Sequence, residues 1–236
     1  MSKNSLIAII PAGGIGKRMN AQKPKQFLTI NDEPILLITL RALASTGLIT
    51  KFIVPTVDLV YTKKIIKSAL PELDITVIKG GKTRQESIYK ALQEIKTDGD
   101  LSKFILIHDA VRALVRKETV ESVIKKAKET GAAIAARPVT DTLKLTYVDD
   151  NGDIAIKKNV SRDLMWIAQT PQVFSREIIY AAYEKAKIDR YEGTDSASLV
   201  ERIGKEVYIV QGRPSNIKIT TPDDLALAET YYKILD

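Results

Sequence analysis

The feature that most constrains the fold is a rhythm: short apolar runs alternate with helix-patterned segments through the first half of the chain. Residues 6–10, 51–55, 75–78, 104–108 and 132–138 read as strands. Between them, residues 34–46, 59–70, 84–95 and 117–130 read as helices, with Pro34 near a first turn. Strands joined through helices must run parallel, and their crossovers cover both faces of the sheet. The rhythm therefore predicts an α/β fold with a doubly wound, mostly parallel sheet. Ligands of such sheets sit beyond the carboxyl ends of the strands. The pattern breaks at Thr140. Residues 142–160 alternate polar and apolar around Asp149-Asp150-Asn151-Gly152-Asp153, and Asn-Gly marks a hairpin. We expect a β-arm at about residues 140–166, and an exposed hairpin usually needs a partner. A closing helix begins at Thr221-Pro222-Asp223-Asp224, a capped and acidic start. With no linker or repeat in view, residues 1–236 are expected to form one domain plus the arm.

Composition narrows the chemistry. The 236 residues are 44% hydrophobic but only 6% aromatic, so Ile, Leu, Val and Ala must build most of the core. With no cysteine, disulfides and thiolate catalysis are excluded. No secretory pattern opens the chain and no apolar run approaches a membrane span, so a cytoplasmic protein with no membrane partner is expected. The net charge is +7. The lysines, however, alternate with acids, as at residues 124–129, which reads as solvated helix faces rather than a nucleic-acid surface. A modest basic excess suits small anionic substrates instead.

The first strand runs straight into Pro11-Ala12-Gly13-Gly14-Ile15-Gly16, and the turn opens onto Lys17, Arg18 and Lys25. Glycines let backbone N–H groups approach an anion closely, and the cations add charge aimed at phosphate. Two familiar phosphate loops do not fit. A dinucleotide fingerprint from Gly14 would need glycine where Met19 stands, and a Walker loop ending at Lys17 would need glycine at Pro11 and a hydroxyl at Arg18.

The whole pattern resembles the 2-C-methyl-D-erythritol 4-phosphate cytidylyltransferase family. The resemblance is carried by residues 11–19 and 24–27, Gly80 to Ser87, His108-Asp109-Ala110-Val111-Arg112, residues 138–144, Gln169-Thr170-Pro171-Gln172, Thr194-Asp195 and residues 216–220. It implies a Rossmann-like nucleotidyltransferase that moves CMP from CTP to a polyol phosphate and releases pyrophosphate, with Mg²⁺ or another divalent cation. It also implies a homodimer made through the arm. By the family pattern, Arg18, Lys25 and Lys218 act on the phosphates. Ala12, Gly13, Gly14, Gly81, Lys82, Ser87, Asp109 and Ala110 bind the nucleotide, and Asp109 also holds the metal. Arg112, Thr142, Arg162 and Thr170 take the second substrate, with Thr142 and Arg162, which bracket the arm, reaching into the other subunit. The chain departs from the pattern at Lys82, where relatives carry an acid, and at Ala113, where they carry proline. Ribitol-5-phosphate cytidylyltransferases share most of these motifs, and a non-catalytic nucleotide-binding protein would keep the glycine loop; both readings stay open here.

The reaction explains the residue inventory. A phosphomonoester is already largely ionised near neutral pH, with a second pKa of about 6. It needs no general base. What it needs is positive charge that brings two anions together and steadies the transition state. A chain with one histidine and 36 Lys and Arg suits that task. Accordingly His108 and Arg84 read as structural, Asp195 as a helix cap, and Trp166 as a core residue.

Overall fold

The computed structural model describes residues 6–14, 23–99 and 102–235. In chain order it contains β1 (Leu6–Ile9), β2 (Thr29–Ile30), β3 (Glu33–Pro34), α1 (Ile35–Ala44), β4 (Lys51–Thr56), α2 (Leu59–Ala69), β5 (Ile75–Lys79) and α3 (Arg84–Thr97). There follow β6 (Phe104–Ile107), α4 (Lys117–Thr130), β7 (Ala132–Pro138), β8 (Leu143–Val148), β9 (Ile154–Val160) and β10 (Trp166–Ser175). The chain closes with α5 (Arg176–Ile188), α6 (Ser196–Arg202), β11 (Tyr208–Gln211) and α7 (Pro222–Leu235).

Seven strands form one sheet in the order β11-β7-β10-β6-β1-β4-β5. All its pairings are parallel except those of β10, which runs antiparallel to both β6 and β7. The expected mostly parallel sheet is therefore present. Alternation along β1 explains why helices cover both faces. Leu6 and Ala8 enter one apolar core with Leu36, Leu40, Phe52, Val54 and Val120 from α1, β4 and α4. Ile7 and Ile9 enter the other with Ile53, Ile88, Leu92, Ile105 and Ile179 from β4, α3, β6 and α5. A smaller cluster of Ile30, Ile35, Ile38, Leu114 and Ile219 seats α7.

The hairpin arm exists as expected: β8 and β9 pair antiparallel with each other and, among the described residues, with no other strand. Its side chains lie largely in solvent, Val148, Ile154 and Ile156 among them. Trp166 corrects one expectation. It is 39% exposed at the start of β10, opposite Pro138, where the chain is just rejoining the sheet from the arm. Among the described residues no helix is long and apolar enough to cross a membrane.

Candidate active site

The carboxyl ends of β1, β4, β5 and β6 open into one cleft of about 600 Å³. Its centre is Asp109, two residues past the end of β6 and 6% exposed. Three cations converge on this carboxylate, Arg84 and Lys218 from distant parts of the chain and Arg112 from three residues further along. Arg84 Nε lies 2.8 Å from Oδ1, Lys218 Nζ 2.9 Å from Oδ2, and Arg112 Nε 3.8 Å from Oδ2. Burial alone would favour the neutral acid; the charges of Arg84, Lys218 and Arg112 outweigh it and hold the carboxyl well below the ordinary range. The two arginines respond differently. Burial disfavours charge on both, but the close Asp109 pair raises the Arg84 pKa, whereas the longer pair leaves the Arg112 pKa lowered. One carboxylate thus faces three cations, an excess of positive charge waiting beside the cleft.

The sole histidine explains how this residue is held. His108 is wholly buried, and burial pushes its pKa down to about 4, so the ring is neutral. Its Nε2 lies 3.1 Å from the Arg112 carbonyl, which only accepts, so that nitrogen carries the proton. Nδ1 then accepts from the Thr170 hydroxyl at 3.0 Å, and the Asp109 N–H donates to the same hydroxyl at 3.1 Å. The relay ties the Asp109 turn to β10, as its expected structural role requires.

One wall of the cleft is a loop fitted to its helix. Thr83 caps α3 by accepting from the Glu86 N–H. The Ser87 hydroxyl donates to the Thr83 carbonyl and accepts from the Gly81 N–H, both at 2.9 Å. Glu86 accepts from the Lys82 N–H at 2.7 Å. Gly81 is required by contact: a Cβ there would lie 2.5 Å from the Glu86 side chain.

On the opposite wall, Lys25 opens a short 3₁₀ turn, Lys25–Phe27. Lys218 comes from the far end of the chain, on a loop braced by buried amides. Gln169 Nε2 donates to the carbonyls of Arg213 and Asn216, Asn216 Nδ2 donates to the Thr170 carbonyl, and Arg112 Nη1 donates to the Asn216 carbonyl at 2.7 Å. Gly212 is obligatory beside them, since a Cβ would meet the Gln169 side-chain oxygen at 2.2 Å.

The structure therefore brings together Ala12, Gly13, Gly14, Lys25, Gly81, Lys82, Ser87, Asp109, Ala110 and Lys218, all lining the cleft. Arg112 and Thr170 stand behind that wall, one against Asp109 and Asn216, the other against His108. Thr142 and Arg162 lie on the exposed arm and do not line the cleft; Arg162 donates to the Thr140 carbonyl. Lys17 and Arg18 lie outside the described residues. Asp195 caps α6 as expected, within a capping box with Ser198. Sequence reasoning gave no role to Gln26, Gln169 and Asn216, whose buried amides brace the turns and loops that carry the two lysines; their only signal was their place inside the family-like segments 24–27, 169–172 and 216–220. Among the described residues no three acidic or histidine side chains cluster as a preformed metal cage. Asp109 alone among the described residues lining the cleft offers a carboxylate.

Comparison with known proteins gives this geometry a context. A family model described as 2-C-methyl-D-erythritol 4-phosphate cytidylyltransferase matches residues 6–233. A protein of that name from Syntrophus aciditrophicus is 43% identical over 98% of this chain and 97% of its own length. Another from Bacillus cytotoxicus is 41% identical over 96% of this chain and 97% of its own. The crystal structure of a 4-diphosphocytidyl-2C-methyl-D-erythritol synthase from Anaerococcus prevotii superposes with a TM-score of 0.80, at 30% identity, covering 98% of this chain and all of that one. The match spans both walls of the cleft, from the glycine turn after β1 to the Lys218 loop, and the chain belongs to the 2-C-methyl-D-erythritol 4-phosphate cytidylyltransferase family.

Proposed function

We propose that residues 1–236 act as one nucleotidyltransferase domain that transfers the cytidylyl group of CTP to 2-C-methyl-D-erythritol 4-phosphate, in isoprenoid precursor synthesis. An oxygen of the methylerythritol phosphate attacks the α-phosphorus of CTP. The bond from that phosphorus to the bridging oxygen breaks, and pyrophosphate leaves with the electron pair. The observation that carries the reading is the convergence of Lys25 and Lys218 on one cleft between the Ala12–Gly14 and Gly81–Ser87 backbones. The backbone edges suit a flat base with one amine and one carbonyl face, and the lysines suit the phosphates it trails. Their charge steadies the crowded α-phosphoryl group in the transition state, and Arg18 joins them by family pattern. Asp109 and the phosphate oxygens would together hold a divalent cation such as Mg²⁺, which binds readily through one carboxylate plus phosphates and would neutralise the developing charge.

Methylerythritol phosphate binding falls to Arg112, Thr170, Thr142 and Arg162, the arm pair acting across a homodimer. The exposed apolar side chains of the arm, Ile154 and Ile156 with Leu164 beyond them, support that assembly. Both substrates are small water-soluble phosphates, which suits a cytoplasmic enzyme. Pyrophosphate release with CTP, Mg²⁺ and each purified polyol phosphate tests the reading. Release with methylerythritol phosphate and not with ribitol 5-phosphate is expected; the reverse preference, or no release with either, would overturn it.

A further inference from the structure

We infer that Gln26 is a positioning residue that sets the reach of Lys25 across the cleft by fastening its turn to the last rung of the sheet. The inference rests on the reading of Lys25 as a phosphate-binding cation. Gln26 is 1% exposed, and a buried amide has to find partners. Its Nε2 donates to the Ala12 carbonyl at 2.7 Å. Ala12 is itself rigid: its N–H donates to the Pro55 carbonyl at 2.7 Å, and it bridges Thr56 in parallel just past the end of β1. The amide therefore joins the turn to a backbone already locked into the sheet.

The turn's geometry makes this one bond decisive. With three residues per turn, successive side chains of a 3₁₀ helix leave in three directions. Phe27 goes into the core, 5% exposed, with its ring edge-on to Tyr61 at 4.9 Å between centroids. Gln26 goes to Ala12. Lys25 takes the remaining direction, into the cleft, its stem close enough to Gly14 that a Cβ there would come within 3.3 Å of Lys25 Cε. Phe27 fixes the depth of the turn, and Gln26 fixes its distance from the segment that reads the base. A displacement of about 1 Å at a reacting centre costs up to roughly 100-fold in rate.

Gln26→Met replaces the amide with an apolar chain of similar length. We expect kcat to fall about 10- to 100-fold, with KM for the polyol phosphate within about three-fold and the melting temperature within a few degrees. In a Lys25→Ala background the same substitution should lower kcat by less than about two-fold, because the group it positions is gone. Unchanged kcat in the single variant, or an undiminished loss in the Lys25→Ala background, would overturn the inference. Gln26→Asn, which draws the amide one methylene back from Ala12, gives the same readings if the Met variant does not fold. If the wild-type protein released no pyrophosphate, the assigned reaction would fail separately. CTP calorimetry would then still decide: the affinity lost through Gln26→Met must vanish when Lys25 is alanine, and its persistence would sink the inference.

Discussion

The Asp109 centre and the β8–β9 arm are built on opposite terms. Around Asp109, side chains from the β6 exit, α3 and the loop before α7 meet within 4 Å, and each stands on backbone braced by buried hydrogen bonds. In the arm, two strands pair only with each other and turn Val148, Ile154 and Ile156 toward solvent. Mutually repelling cations hold still only where the surrounding structure over-determines them. The arm carries no such frame from the central sheet; in the homodimer proposed above, the other subunit would supply it. The contrast predicts that damage at the cleft reads out as lost chemistry, and damage at the arm as lost assembly or lost second-substrate binding.

Removing a cleft cation should have the largest effect. Lys25→Ala is expected to lower kcat roughly 100- to 1000-fold while measurable CTP binding remains, checked by steady-state kinetics and calorimetry. Next, Arg162→Ala on the arm should raise KM for the polyol phosphate about ten-fold or more and leave KM for CTP and the melting temperature alone. Mixing the Lys25→Ala and Arg162→Ala proteins sharpens the comparison. If the arm serves the partner's cleft, mixed dimers regain activity that neither parent has; no recovery would place the arm's contribution elsewhere.

The His108 relay gives a pH signature confined to the cleft. Burial holds its pKa at about 4, against 6.5 ordinarily. Between those values the unfolded chain takes up a proton that the folded chain refuses. Stability should therefore fall as pH drops from about 6.5 to about 4, by about 3 kcal/mol in all, and His108→Gln should flatten that slope in urea titrations. Asp109 contributes in a lower window, since its depressed pKa costs stability only once ordinary carboxylates protonate. The smallest effect is expected at the arm: Ile156→Ser should change protomer stability by less than about 0.5 kcal/mol yet weaken self-association in sedimentation.

The sequence was legible wherever local pattern and tertiary role agree. Apolar runs before glycine or His-Asp gave β1 and β6, and Asn151-Gly152 gave the arm. It was opaque in β10, where Gln169-Thr170-Pro171-Gln172 interrupts an apolar run, so that no strand was assigned there. The structure puts a register shift there, between Ala168 and Gln172, and uses the freed polar groups to brace the Lys218 loop and His108. β11 is a four-residue strand at the sheet's edge; its Tyr208-Ile209-Val210 run is apolar, but it is too short to tell a strand from any other short apolar segment by pattern. At the site, charges announced themselves through composition and motif. The amides of Gln26, Gln169 and Asn216 did not, since their value lies in contacts 14 to 47 residues away in the chain.

The lone antiparallel strand has a consequence for how the molecule is made. β10 sits between β6 and β7, so until residue 175 is in place the sheet exists only as two fragments with facing unpaired edges. A ribosome extending this chain exposes a four-stranded half and a waiting β7 before the wedge arrives to seal them. Exposed edges of that kind recruit other strands. Truncations ending before Trp166 should accumulate as aggregates, and those ending after Ser175 far less so.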